Sequence, residues 1–429
     1  MSSTDLTERL AQQIERIAAI DTHEHLPDEA ERLGWQVDFA TLFSHYCAGD
    51  LRAAGDEVID QILSPKLSIE EKWRLFAPIY DRIGDGSYAH CTHLGMQKFY
   101  GMDRLRSLQD AVELTARMRK ANQPGLYRRV LKDACGIVTS LNLNGRDREF
   151  FTPITSSGWA TDMAAVVGIS AVERLERQAG CSITSLDRYV KAMAELLARN
   201  QREGCKGLKF LLAYMRDLNF ASVSAAEAEA VFNRAIECSQ GWRPHALGYD
   251  EARPLQDYLV HRMIETAGDL DMTVVFHTGI QAGNLNRLDN ARPGPLWNLF
   301  RRYHHVRFVL LHAALPWVEE TGIMAKYFRN VYVDLAWVHA ISPEIARRTV
   351  RTYVDLVPRN KVLGFGADCR IVEEVFGHLT LARQNLSAAL ADKIDQGAMD
   401  ESRALAWARA MLHDNPIEAF KLDVKPMDA

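Results

Sequence analysis

Short apolar runs that stop abruptly at polar side chains recur along this chain. Ile17-Ala-Ala-Ile20 stops at Asp21-Thr-His-Glu-His25. Gly207-Leu-Lys-Phe-Leu-Leu212, Thr273-Val-Val-Phe-His277, Arg307-Phe-Val-Leu-Leu-His312, Val331-Tyr-Val-Asp334 and Val362-Leu-Gly-Phe-Gly-Ala-Asp368 repeat the pattern, most with a polar residue at or near the end. Runs of this length, bounded in this way, are the pattern of buried strands that deliver side chains to their C-terminal edge. Amphipathic segments of helical length separate several of them, at 186–203, 222–239, 255–268 and 343–357. Strands alternating with helices predict parallel βα units.

Taking Ile17–Asp21 as the first strand and the other five as the fourth to eighth leaves two strands to place before residue 200. Ala134-Cys-Gly-Ile-Val-Thr-Ser140 and Ala160–Val167 are the runs available. The fold predicted is therefore α/β, a (β/α)8 TIM barrel. Residues 27–130 are almost wholly helical in pattern and rich in charge, which predicts an α-helical insertion after strand one. Residues 371–429 read as closing helices. A length of 429 residues suits one such domain, since a barrel takes ~250 residues and accepts insertions.

Composition narrows the partners. A hydrophobic fraction of 47% and a charged fraction of 25% exclude disorder. The net charge of -5 comes without a basic stripe interleaved with aromatics, so no nucleic acid is expected. The N-terminal segment mixes acids and bases, and no stretch of 18 apolar residues occurs; no membrane span is expected, and the expected location is cytoplasmic. Seven scattered cysteines, never spaced C-x-x-C, read as reduced thiols. Cys369 stands out because it follows Asp368 directly.

His23-Glu-His25 at a strand end is the strongest local signal of chemistry. Strand alternation puts both imidazoles on one side and Glu24 on the other, a floor for a metal ion. His277, His312 and Asp368 each end a later strand. Any one of them alone is a common capping or core residue, but all three in register with the His-x-His pair at the C-terminal face of one barrel point to metal binding. Imidazole nitrogens with one carboxylate suit Zn2+, with Mn2+ or Fe2+ as alternatives. Lys209 has three readings: a strand-end lysine, a substrate-binding cation, or a carbamylated bridge that would bring in a second ion. A single ion is the default. His90, His93, His304, His305, His339 and His378 lack a second ligand at a favourable spacing, and Arg216 reads as a surface or salt-bridged arginine.

With these positions in order, the chain resembles the amidohydrolase superfamily, whose pattern is His-x-His after strand one, Lys or Glu after strand four, His after strands five and six, and Asp after strand eight. His23, His25, Lys209, His277, His312 and Asp368 fall on those positions, and Asn415-Pro-Ile-Glu-Ala-Phe420 is similar to the family's closing segment. A narrower resemblance lies in the insertion, where Ser44–Gly55 and Ser87–Gly101 look like segments of uronate isomerases. Ala367-Asp-Cys-Arg370 also resembles a motif of that family in which the Asp serves the metal and the Arg binds a substrate carboxylate. The resemblance implies that Arg370, His45 and Tyr46 contact substrate, and that Trp337 matches an active-site tryptophan. Two strand ends depart from it: uronate isomerases have neither the lysine of strand four nor the histidine of strand six. A second tryptophan is replaced by Val338, and no Arg-Pro-Asp motif occurs near strand three.

The function expected is a metal-dependent hydrolase in which metal-activated water attacks a carbonyl centre of a small anionic substrate. Asp368 would take up a proton and His312 would polarise the carbonyl oxygen. A uronate (aldose–ketose) isomerase is the alternative and a non-oxidative decarboxylase a further one. Barrels of this group are commonly homo-oligomers, which the resemblance implies here too.

Overall fold

The computed structural model describes residues 3–55, 58–156, 158, 169–240 and 247–424. Eight parallel strands form the centre: β1 (Ala19–Glu24), β2 (Ile137–Asn142), β3 in two segments (Phe151–Pro153 and Thr155–Ser156), β4 (Gly207–Phe210), β5 (Thr273–Phe276), β6 (Phe308–Leu310), β7 (Val331–Asp334) and β8 (Val362–Leu363). Neighbours in this order pair in parallel throughout. The ring closes just beyond β8, where Thr22 N donates to Phe365 O at 3.0 Å, Asp368 N to His23 O at 2.9 Å and His25 N to Cys369 O at 3.1 Å. The expected (β/α)8 barrel is what the chain adopts.

The third strand is not where the pattern put it. It lies at 151–156, and residues 160–167, expected to form it, fall outside the described residues. Pro153 hides it, because a proline inside a run argues against a strand. Here the proline marks a change of partner: Phe151–Pro153 pair with β2, and Thr155–Ser156 pair with β4.

Period-2 alternation divides each strand between two cores. One set, including Ile20, Leu141, Ile154, Val275, Val309 and Leu363, forms a cluster that takes in Phe420 of the helix Asn415–Phe420. That helix sits under the strands, with Thr273 Oγ1 donating to Ala419 O at 2.6 Å. Burying Phe420 contributes about 2 kcal/mol. The alternate residues, such as Val274, Phe276, Phe308 and Leu310, pack outward in the large core shared with the surrounding helices.

Between β1 and β2 the described residues form helices and no strand. The longer ones are α1 (Tyr46–Ala54), α2 (Ile69–Ile83), α3 (Ser87–Tyr100) and α4 (Leu108–Ala121). Ser68 with Glu71 and Ser107 with Asp110 form capping boxes that start α2 and α4. This region has its own core, in which Phe39, Phe43, Phe76 and Tyr80 pack with ring centroids 4.9 to 5.4 Å apart. It docks on the barrel where α3 crosses α5 (Val372–Asp395). A Cβ on Gly377 would lie 2.2 Å from Cys91 O, so only glycine permits this approach. Arg32 and Glu373 form a buried ion pair at 2.8 Å, which Tyr100 Oη joins by donating to Glu373 at 2.6 Å. No described helix is long and apolar enough to cross a membrane.

Candidate metal centre

His23 and His25 leave the end of β1 with their rings 4.9 Å apart. Glu24, between them, turns the other way: its Oε1 accepts from His25 N and Cys369 N, locking β1 to the segment that carries Asp368. Asp21 Oδ1 accepts from His23 N at 3.1 Å and Ala367 N at 3.2 Å across the same seam. Asp368 Oδ1 thereby comes within 3.6 Å of His23 Nε2 and 3.3 Å of His25 Nε2. The ligand atoms of His23, His25 and Asp368 lie within 4.8 Å of one another.

His277, past the end of β5, and His312, past the end of β6, face the same centre. His312 Nε2 lies 3.7 Å from Asp368 Oδ2 and 3.3 Å from His277 Nδ1. The remaining nitrogen of each ring meets a backbone carbonyl: His277 Nε2 and Ile280 O are 2.9 Å apart, His312 Nδ1 and Ala336 O 3.0 Å. A carbonyl only accepts, so those nitrogens carry the hydrogens, and the inward nitrogens present lone pairs to each other. Two lone pairs beside a carboxylate call for a cation between them. Outer carbonyl partners of this kind accompany imidazoles that bind metal. The residues present thus fit a divalent ion.

Lys209, on β4, is fully buried, with Nζ 3.1 Å from His23 Nε2. Burial pushes its amine down to about 7. Burial, aided by Lys209, holds His23 well below its ordinary range and takes His25 and His312 down to about 3, so these rings are neutral, as metal ligation requires. Burial raises Asp368 to about 7 against the pull of Lys209. A divalent ion would oppose that rise and favour the carboxylate.

The backbone at three of these strand ends is strained. Asp368 has φ +57°, His312 +62° and Trp337 +68°, a region costly to residues with a Cβ. Tyr46 Oη donates to Asp368 O at 2.6 Å, and its ring stacks on Trp337 at 4.3 Å.

Above the centre opens a cavity of about 740 Å3, lined in part by His23, His25, His45, Tyr46, Asp368 and Arg370. Trp337, expected to touch substrate, does not line it. It stands behind Tyr46, edge-on to His312, and borders an adjoining cavity of about 400 Å3. Sequence reasoning missed Arg174, Ser156 and Tyr214, which line the larger cavity. Ser156 and Arg174 follow from the misplaced third strand, whereas nothing local to Tyr214 marked it. Arg216 is buried against Asp257 at 2.7 Å, a structural pair. His93 bonds Tyr80, and His339 bonds Gly364 O.

The family model described as amidohydrolase matches residues 160–422. The chain belongs to that family. Its members are enzymes that generally use divalent metals, in keeping with the His23, His25 and Asp368 cluster. Among curated proteins the amidohydrolase chain matches protein fluG of Emericella nidulans, 26% identical over 233 residues, 52% of this chain and 26% of that one. It thus spans about a quarter of the length of that relative. Among solved structures it is similar to the uronate isomerase of Thermotoga maritima, with 16% identity, a TM-score of 0.81 and 97% of each chain covered. The glucuronate isomerase of Caulobacter crescentus gives 18%, 0.75, and 99% and 95% coverage. A protein named as a metal-dependent hydrolase, from Lactobacillus casei, gives 17%, 0.68, and 96% and 97%. At such identities the likeness is one of fold.

Proposed function

We propose that this amidohydrolase is a metal-dependent hydrolase cleaving a C–N or C–O bond at the carbonyl centre of a small anionic substrate. The observation that carries the reading is the convergence of Lys209 and His312 on the His23, His25 and Asp368 cluster. These are the two strand ends at which the sequence departs from the uronate-isomerase pattern. Three imidazoles and a carboxylate suit Zn2+, with Mn2+ or Fe2+ the alternatives, held by His23, His25, His277 and Asp368. A second ion requires Lys209 to be carbamylated, and an amine pushed down to about 7 has the free base for that reaction near neutral pH.

When bound, the ion supplies Lewis acidity toward the carbonyl and toward water. Asp368 takes the proton released as water adds to the carbonyl carbon. His312, whose Nδ1 hydrogen goes to Ala336 O, presents its Nε2 lone pair to a hydrogen of the attacking water and so orients that water, rather than polarising the carbonyl oxygen as the sequence suggested. Arg370, exposed on the cavity wall, pairs with a substrate carboxylate, and His45 and Tyr46 bound the space around it. The partner is a small molecule rather than nucleic acid or membrane, and the protein assembles as a homo-oligomer in the cytoplasm.

The isomerase reading has its own support in Arg370 beside Asp368 and in a fold likeness that extends through the insertion. In it Asp368 moves a proton between adjacent carbons of a uronic acid. Metal-loaded protein should be assayed on esters, lactones and amides of carboxylic acids, on uronates and on aromatic acids. Turnover of the first group with His312→Asn slowed and its metal retained is the expected result. Turnover of uronates alone would replace the hydrolase by the isomerase, and loss of CO2 from aromatic acids by the decarboxylase.

A further inference from the structure

A pair of side chains beside the metal centre moves no proton in the chemistry above. His45 precedes α1 and forms wall of both the larger cavity and the adjoining one. Glu374, in the first turn of α5, lies behind it, with Oε2 4.0 Å from His45 Nδ1. Among the described residues neither atom has a hydrogen-bond partner. The glutamate side chain is 5% exposed and the imidazole 16%. The other carboxyl oxygen accepts from Thr92 Oγ1 at 3.4 Å, which keeps the carboxyl aimed at the ring.

Buried polar atoms left unpaired are costly, and these two face each other just outside hydrogen-bond range. Catalytic contacts are often long before substrate binds and tighten afterwards. We propose that Glu374 positions His45 by a hydrogen bond to Nδ1, and that His45 Nε2–H donates the proton that the leaving group needs. The donor role rests on the hydrolase reading, whereas the hydrogen bond does not. Burial favours the uncharged form of each partner, holding Glu374 well above the carboxylate range and His45 down to about 3. The carboxyl hydrogen then points at Nδ1, and the ring carries its own hydrogen on Nε2.

The step balances without a further reactant. The water oxygen bonds to the carbonyl carbon and one water proton passes to Asp368. The C–N or C–O bond breaks, its electron pair goes to the leaving atom, and that atom takes the Nε2 proton. The Glu374 proton crosses to Nδ1, leaving a carboxylate and a neutral imidazole. Return of the proton from Asp368 to Glu374 through solvent, with the ring reverting to its first tautomer, resets the pair.

Two measurements on the full-length, zinc-loaded protein test this. In 15N-histidine NMR spectra, with the His45 signals assigned by their loss in His45→Gln, the wild type should show the Nε2–H tautomer. Glu374→Gln, whose amide N–H still donates to Nδ1, should keep it, and Glu374→Leu should lose it. An Nδ1–H tautomer in the wild type, or no change in Glu374→Leu, would overturn the positioning role. Should Glu374→Leu fail to fold, the wild-type tautomer and the isosteric Glu374→Gln still decide the matter.

The second measurement compares monoethyl succinate, whose leaving group needs a proton, with mono-p-nitrophenyl succinate, whose leaving group does not. His45→Gln should slow the ethyl ester on the order of 10²-fold more than the p-nitrophenyl ester. Equal slowing of both would overturn the donor role. A wild type inert toward these esters and toward the other esters, lactones and amides of carboxylic acids would overturn the hydrolase reading and the donor role together, while the tautomer decides the Glu374–His45 bond separately.

Discussion

The barrel mouth and the helical insertion both line one cavity, but different physics holds their side chains in place. At the mouth, His23, His25, His277, His312 and Asp368 lie at or just past the ends of strands held by parallel ladders and, between β8 and β1, by the hydrogen bonds that close the ring, so their spacing comes from the pleat and that closure. In the insertion, His45 and Tyr46 sit at the start of a nine-residue helix held by an aromatic core of its own and by the crossing of α3 over α5. On the proposed reading, the difference makes ion binding and substrate shaping separable. Damage to the mouth should remove the metal, whereas damage to the insertion should cost stability or rate and leave the metal in place.

The largest effect is expected at the mouth. Asp368→Asn keeps a residue type that tolerates positive φ and removes the charge. Metal content by inductively coupled plasma analysis should fall, and turnover should drop about 10³-fold. Full occupancy with normal turnover would break the assignment of this residue. Next comes the insertion core: Phe76→Ala deletes a fully buried ring and should cost about 3–5 kcal/mol in denaturant titration. The folded fraction should still hold its metal, and a matching loss of metal would erase the distinction between the regions.

A smaller effect is expected where the two regions meet. Tyr46→Phe deletes the 2.6 Å bond to Asp368 O and should cost about 1 kcal/mol, with slower turnover at unchanged metal content. A variant that loses metal would show that the insertion helps to build the ion site. The smallest effect concerns Asp334, buried at the end of β7, whose carboxyl burial pushes up to about 7 from 3.8. A raised carboxyl favours the native state most at low pH, and that contribution is lost as pH rises from about 4 through about 7. In metal-free Asp334→Asn, the melting temperature should therefore fall less over that window than in the wild type. Parallel curves would contradict the shift.

The same contrast explains what could be read from the chain. His-x-His spacing and apolar runs ending in His or Asp are local patterns, so the barrel and the positions of six residues facing one centre are legible in the sequence. The third strand is not, because Pro153 breaks a run that tertiary pairing restores on either side. Arg174 was lost with it. Trp337 matched a family position, yet its backbone at φ +68° and the stacking of Tyr46 place its ring behind the cavity wall. Glu374 escaped notice because its relation to His45 depends on how the insertion docks on α5, a contact across more than 300 residues that no local pattern encodes.

The central claim is the ion at the barrel mouth, and anomalous diffraction from crystals at the zinc, iron and manganese edges tests it most directly. The account predicts an anomalous peak within ligand distance of His23, His25 and Asp368, with His277 alongside. Metal-supplemented crystals with no anomalous peak at this centre, or with the ion bound elsewhere, would contradict it.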